Sequence, residues 1–388
     1  MDKLVSRAPL RNSPTLTRVH GFGTKLPTVV AIPAKDEEER IGACLLALAR
    51  QTSMPDVVLL LLNNCTDRTE AAARELASNL PFELHVVCHA LPPADANAGN
   101  ARRLAMQHSA ALAGSNGILL TTDADTIVAD DWVERNLAAI GSGADVVCGR
   151  VRLDPIEAAL IPSHLHADDA LECELTELLD KIAFIVDPVP ADPWPRHTEA
   201  AGASLAVTVA AFNNVGGIPA IAAGEDRAFV ARLAQVDARI RHDPTITVTV
   251  SGRLHGRAPG GMADTIRRRM QQQDEFTDES VEPAADAFRR ADFRRRVRLA
   301  WRDLRFNLLP PTALAADLGM SQAALHRRLN HRFFGMAWAD VEAHTPFLVR
   351  RRVRFSELPR QISYARQLLE QHPDRWRGLL TIETNPCN

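Results

Sequence analysis

Five short apolar runs, at residues 28–32, 56–62, 82–88, 117–122 and 144–148, alternate with helix-patterned stretches over the first 150 residues. A run such as Asp56-Val-Val-Leu-Leu-Leu-Leu62 is continuous rather than alternating, as expected of a strand buried on both faces. Between the runs, residues 37–50 place Ile41, Leu45, Leu48 and Ala49 at helical spacing, with Asp36 as a plausible N-cap. Helices are also predicted at 69–78, 97–113 and 130–140. Strands separated by helices of this length need right-handed crossovers, so the class is α/β with a mostly parallel sheet and helices on both faces.

After Leu153 the pattern changes. Residues 165–185 read as one amphipathic helix, followed by the Pro-rich loop Asp187-Pro-Val-Pro-Ala-Asp-Pro-Trp-Pro195, which suits a substrate-facing segment better than a sheet interior. Residues 203–208, a helix at 225–234 and a last strand at 245–250 return the chain to the sheet. Beyond Gly260 the pattern is helical, interrupted by Pro310-Pro311. The charge changes there too. From residue 261 the chain has 22 Arg, no Lys and 16 acidic residues, a balance of +6, against −9 for the first 260. The expected organisation is a lead-in at 1–27, a catalytic unit at 28–260 and an Arg-rich helical extension at 261–388. Solvated helical faces and an acidic partner both account for the arginines.

Hydrophobic content of 46% and charged content of 24% are those of an ordinary globular chain. Apolar stretches such as 57–62 are far too short to cross a bilayer, and no signal peptide is evident. Cys44, Cys65, Cys88, Cys148, Cys173 and Cys387 show no paired spacing, which points to reduced thiols in a cytoplasmic protein, with peripheral membrane association a further expectation from the arginines.

Four polar clusters fall at predicted strand ends: Lys35-Asp36-Glu37; Asn63-Asn64 with Asp67; Gly99-Asn100-Ala-Arg102; and Asp123-Ala-Asp125. In a parallel sheet such ends share one edge, so distant residues meet in one crevice. Paired carboxylates there suit a hard divalent cation, Mn2+ or Mg2+, with substrate phosphates completing its shell. Taken alone, Asp123-Ala-Asp125 is equally an Asp-rich turn capping the next helix. Gly99 permits close approach to the free N–H groups of the helix behind it, and Arg102 or Arg103 offers a bidentate phosphate contact. Together the four clusters describe a nucleotide site with a metal.

At this point a family resemblance emerges. Ile32-Pro-Ala-Lys-Asp-Glu-Glu38, Asn63-Asn-Cys-Thr-Asp-Arg-Thr69, Gly99-Asn-Ala-Arg102, Thr122-Asp-Ala-Asp125 and Gly224-Glu-Asp226 occur in the order and at spacings similar to family 2 glycosyltransferases. The resemblance spans about residues 28 to 257 and implies a Rossmann-like GT-A fold and sugar transfer, with inversion, from a nucleotide diphosphate sugar such as a UDP- or GDP-sugar. It implies that Pro33, Lys35, Asp36 and Glu37 contact the nucleoside and that Asn63 stands where the family more often has an acid. It implies that Asp123 faces the ribose or metal, that Asp125 binds the metal, that Asp226 is the general base and that His255 is a third metal ligand. Trp194, Gly202 and Glu225 are placed on the acceptor side. Each has a plainer reading: Glu225-Asp226 as an acidic first helical turn, His255 as a loop residue, Trp194 as a core aromatic, Lys35 as a solvated side chain.

A second reading comes from residues 314–329, whose Leu318-Gly-Met-Ser321 turn leads into a helix carrying Arg327 and Arg328, much as in AraC-type regulators. That pattern suggests a DNA-binding regulator with a sugar-nucleotide sensing domain. The same leucines equally pack a small helical subdomain, and no nucleic-acid partner is expected. The sugar, the acceptor and the base are not legible.

Overall fold

The computed structural model describes residues 26–254, 256 and 261–371. The first half alternates as β1 (Thr28–Ala34), α1 (Ile41–Ala49), β2 (Val57–Asn63), α2 (Thr69–Ala77), β3 (Glu83–His89), α3 (Ala98–Ala113) and β4 (Ile118–Thr121). It continues through β5 (Ile127–Val128), α4 (Trp132–Gly141), β6 (Val146–Leu153), α5 (Pro155–Ala158), α6 (Ser163–Val186), β7 (Leu205–Thr208), α7 (Val209–Asn214), α8 (Glu225–Gln235) and β8 (Ile240–Val250). The rest is helical: α9 (Met262–Gln271), α10 (Ala284–Leu304), α11 (Thr312–Asp317), α12 (Gln322–Leu329), α13 (Phe334–Ala343) and α14 (Leu358–Glu370).

The eight strands form one sheet in the order β3-β2-β1-β4-β7-β6-β8-β5. Its first half is parallel as expected. Its second half is mixed: β7 runs antiparallel to both β4 and β6, and β5 antiparallel to β8. The continuous apolar runs have the expected cause. Val58, Leu60 and Leu62 of β2 face one core with α1 and α4, while Leu59 and Leu61 face the other with α3 and α8. Strand β8 is longer than predicted because Asp243-Pro244 lies within it, where pairing with β6 shifts register between Cys148 and Arg150.

Two further cores lie in the C-terminal half. One joins Leu175, Ile182 and Val186 of α6 to Ala284 and Ala291 of α10 and to Leu358 and Ile362 of α14. The other buries Leu318, Leu325 and Leu329 among α10 to α13. The helix-turn-helix pattern thus serves packing, and Arg328 ends on Asp340 at 2.8 Å. Many arginines are engaged inside as well. Arg290 is bidentate on Glu282 at 2.7 and 2.8 Å, and Arg294 and Arg298 both end on Asp187. No helix among the described residues is long and apolar enough to cross a membrane.

Candidate functional site

The carboxyl ends of β1, β2 and β4 open into a cleft of about 360 Å3. Pro33, Lys35 and Glu37 line it from β1, Asn63 from β2, Arg102 from α3, and Asp123 and Asp125 from the turn after β4. The opposite wall carries Gly202, Glu225, Asp226 and Arg253. Residues spread over more than two hundred positions meet here because parallel strands deliver their ends to one edge.

Arg102 is buried beneath the floor of this cleft. It donates to Thr121 Oγ1 at 2.8 Å, to the Gly202 carbonyl at 3.0 Å, to Glu225 at 3.0 Å and to Asp123 at 2.5 Å. Burial disfavours its charge, but the Asp123 and Glu225 carboxylates outweigh that and hold the guanidinium above its ordinary range. All four bonds end on protein oxygens, so the guanidinium is held in place from within the protein. The Gly202 position admits no side chain, as an added Cβ would lie 2.4 Å from Arg102 Nε. In turn the Gly202 amide donates to Asp226 Oδ2 at 2.8 Å, and the Arg227 amide to Oδ1 at 2.7 Å. Asp226 sits in the first turn of α8, entered through Gly224 at φ 72°, a left-handed conformation that glycine adopts freely.

On the other side Asp125 is largely buried, with 17% of its side chain exposed. Burial and the neighbouring Asp123 charge push its carboxyl up to about 6, against the pull of Arg253. Arg253 Nη2 stands 3.2 Å from Asp125, and the same guanidinium forks onto Glu37. Its loop is held by Glu157, which accepts from Ser251 Oγ at 2.8 Å and from the Gly252 amide at 2.6 Å. The donor chemistry fits a hard divalent cation: two carboxylates open to one cleft, crowded negative charge, and an arginine already drawn to the place where positive charge is favoured. His255 and Arg257 lie outside the described residues.

Asn63 is buried at the inner end of the cleft, and its Oδ1 has no hydrogen-bond partner among the described residues. Several other predicted residues build the walls without lining the cleft. Asp36, at φ 53°, is not the N-cap of α1, a place taken by Arg40. Its carboxylate accepts from the Thr66 and Asp67 amides at 2.6 and 3.3 Å and so shapes the turn after β2. Asp67 accepts from the Glu38 and Thr69 amides, both at 3.0 Å, and Asn64 exchanges two bonds with Leu91. Gly99 lets α3 approach the 221–223 segment, where a Cβ would fall 2.0 Å from the Ile221 carbonyl oxygen. Asn100 donates to the Asp95 carbonyl at 3.1 Å.

Trp194 is placed differently from a sugar platform. It is buried, with Phe184 at 6.1 Å between centroids and Lys181 Nζ over its ring at 5.2 Å. Trp194 thus packs inward on α6, while Pro188, Pro190, Pro193 and Pro195 around it stay exposed. Sequence reasoning missed Thr121, Glu157 and the start of α9, where Met262 and Ala263 line the cleft. Gly260-Gly261 before an amphipathic run was the available signal for the last.

Residues 29–188 match the family described as glycosyl transferase family 2. No curated protein matches the chain. Among solved structures, S. aureus TarS 1-349 in complex with UDP-GlcNAc is similar at 13% identity and a TM-score of 0.44, covering 83% of this chain and 90% of that one. The mannosyltransferase PcManGT from Pyrobaculum calidifontis, in complex with GDP-Man and Mn2+, is 15% identical with a TM-score of 0.42, covering 92% and 83%. Glucosyl-3-phosphoglycerate synthase from Mycobacterium tuberculosis, in complex with Mn2+, UDP and glucosyl-3-phosphoglycerate, is 18% identical with a TM-score of 0.37, covering 64% and 80%.

Proposed function

We propose, from the premise that residues 29–188 make this chain a member of glycosyl transferase family 2, that it moves a sugar from a nucleotide diphosphate sugar to a hydroxyl acceptor with inversion. The observation that carries this reading is that Asp123 and Asp125, from the turn after β4, line one cleft with Asp226, from the start of α8. The volume is within the roughly 300–1,000 Å3 range of ligand pockets.

Asn63 at the end of β2, with Pro33 and Lys35 from the end of β1, flanks the donor's nucleoside. Asp123 and Asp125 are the residues that would hold Mn2+ or Mg2+, a cation that neutralises the charge developing on the leaving diphosphate. Arg253, already beside Asp125, contributes positive charge that needs no reorganisation. Asp226 removes the acceptor proton as that oxygen attacks the anomeric carbon and the bond to the diphosphate breaks, a role worth about 10²–10⁴-fold. Its carboxylate is aimed by the Gly202 and Arg227 amides, so orientation precedes substrate binding. Glu225 points away from the acceptor into the Arg102 pair, and is assigned a holding role. The described cysteines are unpaired, which supports a reducing compartment such as the cytoplasm.

Thermal-shift titration with UDP-, GDP- and ADP-sugars, with and without Mn2+, tests the donor: a nucleotide sugar raises the melting temperature and Mn2+ raises it further. Asp226→Asn retains that shift and loses transfer. A chain stabilised by none of these donors, or an Asp226→Asn variant with full turnover, removes the assignment.

A further inference from the structure

The turn after α10 forms an exposed apolar tip. Phe306, Leu308 and Leu309 are 77%, 56% and 67% exposed within four consecutive positions. Scattered exposed leucines need no explanation, but three large apolar side chains on one short turn do. The turn is structured. Asn307 adopts φ 60°, and the Asn307 and Leu308 amides close on the Leu304 and Asp303 carbonyls at 3.1 and 3.2 Å, ending the helix. The far side is pinned by Pro310, which is buried and accepts from Gln322 at 2.8 Å. A turn fixed at both ends while its apolar side chains face outward is built to present them.

Arginines surround the tip. Arg302 lies one helical turn before Phe306, and Arg305 donates to the carbonyls of His331 and Arg332 at 2.6 and 3.0 Å, bringing Arg332 alongside. Among the described residues no carboxylate pairs with Arg302, Arg305 or Arg332, in contrast to Arg290, Arg294 and Arg298 on the same half of the chain. The exposed acid within the tip is Asp303, so the local balance is positive.

We propose that this tip docks the protein on an anionic lipid surface, with Phe306, Leu308 and Leu309 entering the acyl boundary and Arg302, Arg305 and Arg332 meeting lipid phosphates. The shape favours lipid over a protein partner. Three side chains on a protruding turn present far less than the ~800 Å2 per partner of a stable protein interface. The same three suffice to enter the headgroup boundary to ~5–10 Å while arginines, weakly hydrated, stay at phosphate level. The contact would be peripheral, since no described helix can span a bilayer.

The experiment is co-sedimentation of the full chain with vesicles of equimolar phosphatidylcholine and phosphatidylglycerol, against phosphatidylcholine alone, at low and high salt. Binding is expected to the anionic vesicles only and to weaken with salt. Phe306→Ser with Leu309→Ser lowers partitioning on the order of ten-fold or more, and Arg302→Gln with Arg332→Gln roughly five-fold per arginine. These side chains are exposed and remote from the cleft, so unchanged circular dichroism and donor-induced thermal shift confirm folding. Absence of vesicle binding, or binding indifferent to both variant pairs, overturns the proposal. Lipid-free self-association abolished by Phe306→Ser overturns it too, by assigning the tip to a second copy. The readout does not depend on sugar transfer, so it stands or falls apart from the proposed activity.

Discussion

Arg102 and Glu225, 123 positions apart in the chain, form a buried ion pair with Nε 3.0 Å from Oε1 and 7% of each side chain exposed. Neither charge has water to fall back on, so each depends on the other and on Asp123, Thr121 and the Gly202 carbonyl. The arrangement joins the donor-side carboxylate to the helix that carries Asp226.

Removing the guanidinium leaves carboxylates buried without a counter-charge. Arg102→Ala is expected to lose about 3–5 kcal/mol of stability, measured by urea unfolding. Arg102→Lys restores charge but not the fork, and should recover part of the stability while transfer remains impaired. A neutral effect of Arg102→Ala on both would show that the pair is not what holds this floor.

Gly202→Ala tests the aiming of Asp226 directly. The added Cβ would lie 2.4 Å from Arg102 Nε, so either the arginine or the 201–203 segment must move, and the amide held at 2.8 Å from Asp226 moves with it. A shift of about 1 Å in a reacting group can cost on the order of 10²-fold. The expected outcome is a fall in kcat of that order with donor affinity kept, read by steady-state kinetics beside donor titration.

Metal dependence is the third expectation. Excess chelator should abolish transfer, and Mn2+ or Mg2+ should restore it. Asp125→Asn should cost at least about 10²-fold in turnover and raise the Mn2+ concentration needed for half-activity, since charge on the leaving group is then poorly neutralised. Full activity in chelator would refute the metal role.

Stability should depend on pH through two neighbouring histidines remote from the cleft. Burial, then the positive charges of His242 and Arg150, pull His197 down to about 3. Burial opposes the charge of His242 as well, but Asp192, 2.8 Å from Nδ1, and Cys148 push it up to about 10. For His197 the unfolded chain binds the extra proton, so stability is lost as pH falls below about 6.5 towards 3. For His242 the folded chain binds it, so its contribution is complete below about 6.5 and is lost as pH rises towards 10. Each slope is at most about 1.4 kcal/mol per pH unit. Urea midpoints should therefore peak near neutrality, His242→Gln should flatten the alkaline limb, and an alkaline limb unchanged in that variant would refute the assignment.

The parallel half of the sheet was legible because its strands announce themselves. Residues 57–62 of β2 are apolar throughout, and the five motifs that carry the family resemblance are short enough to be read directly from the sequence. Other features ran against local rules. Pro244 argued for a strand starting after it, yet register with β6 shifts and the ladder continues on both sides. Asp36 read as a helix cap, but a positive φ turns its carboxylate towards the loop after β2. Trp194 read equally as an acceptor-side residue and as a core aromatic, and Phe184 and Lys181 on α6 enclose it.

Sequence by itself determined the α/β class, the strand ends and the kinds of side chain gathered there, since periodicity depends on neighbours along the chain. Tertiary structure alone decided which partner each polar group received: that Arg102 holds the Asp123 and Glu225 carboxylates, that Arg253 stands between Glu37 and Asp125, and that the Gly202 amide meets Asp226. Those pairings link residues from 21 to 216 positions apart, on separate elements and loops. A guanidinium takes whichever carboxylates the packed backbone brings within reach, a distance that no local pattern encodes.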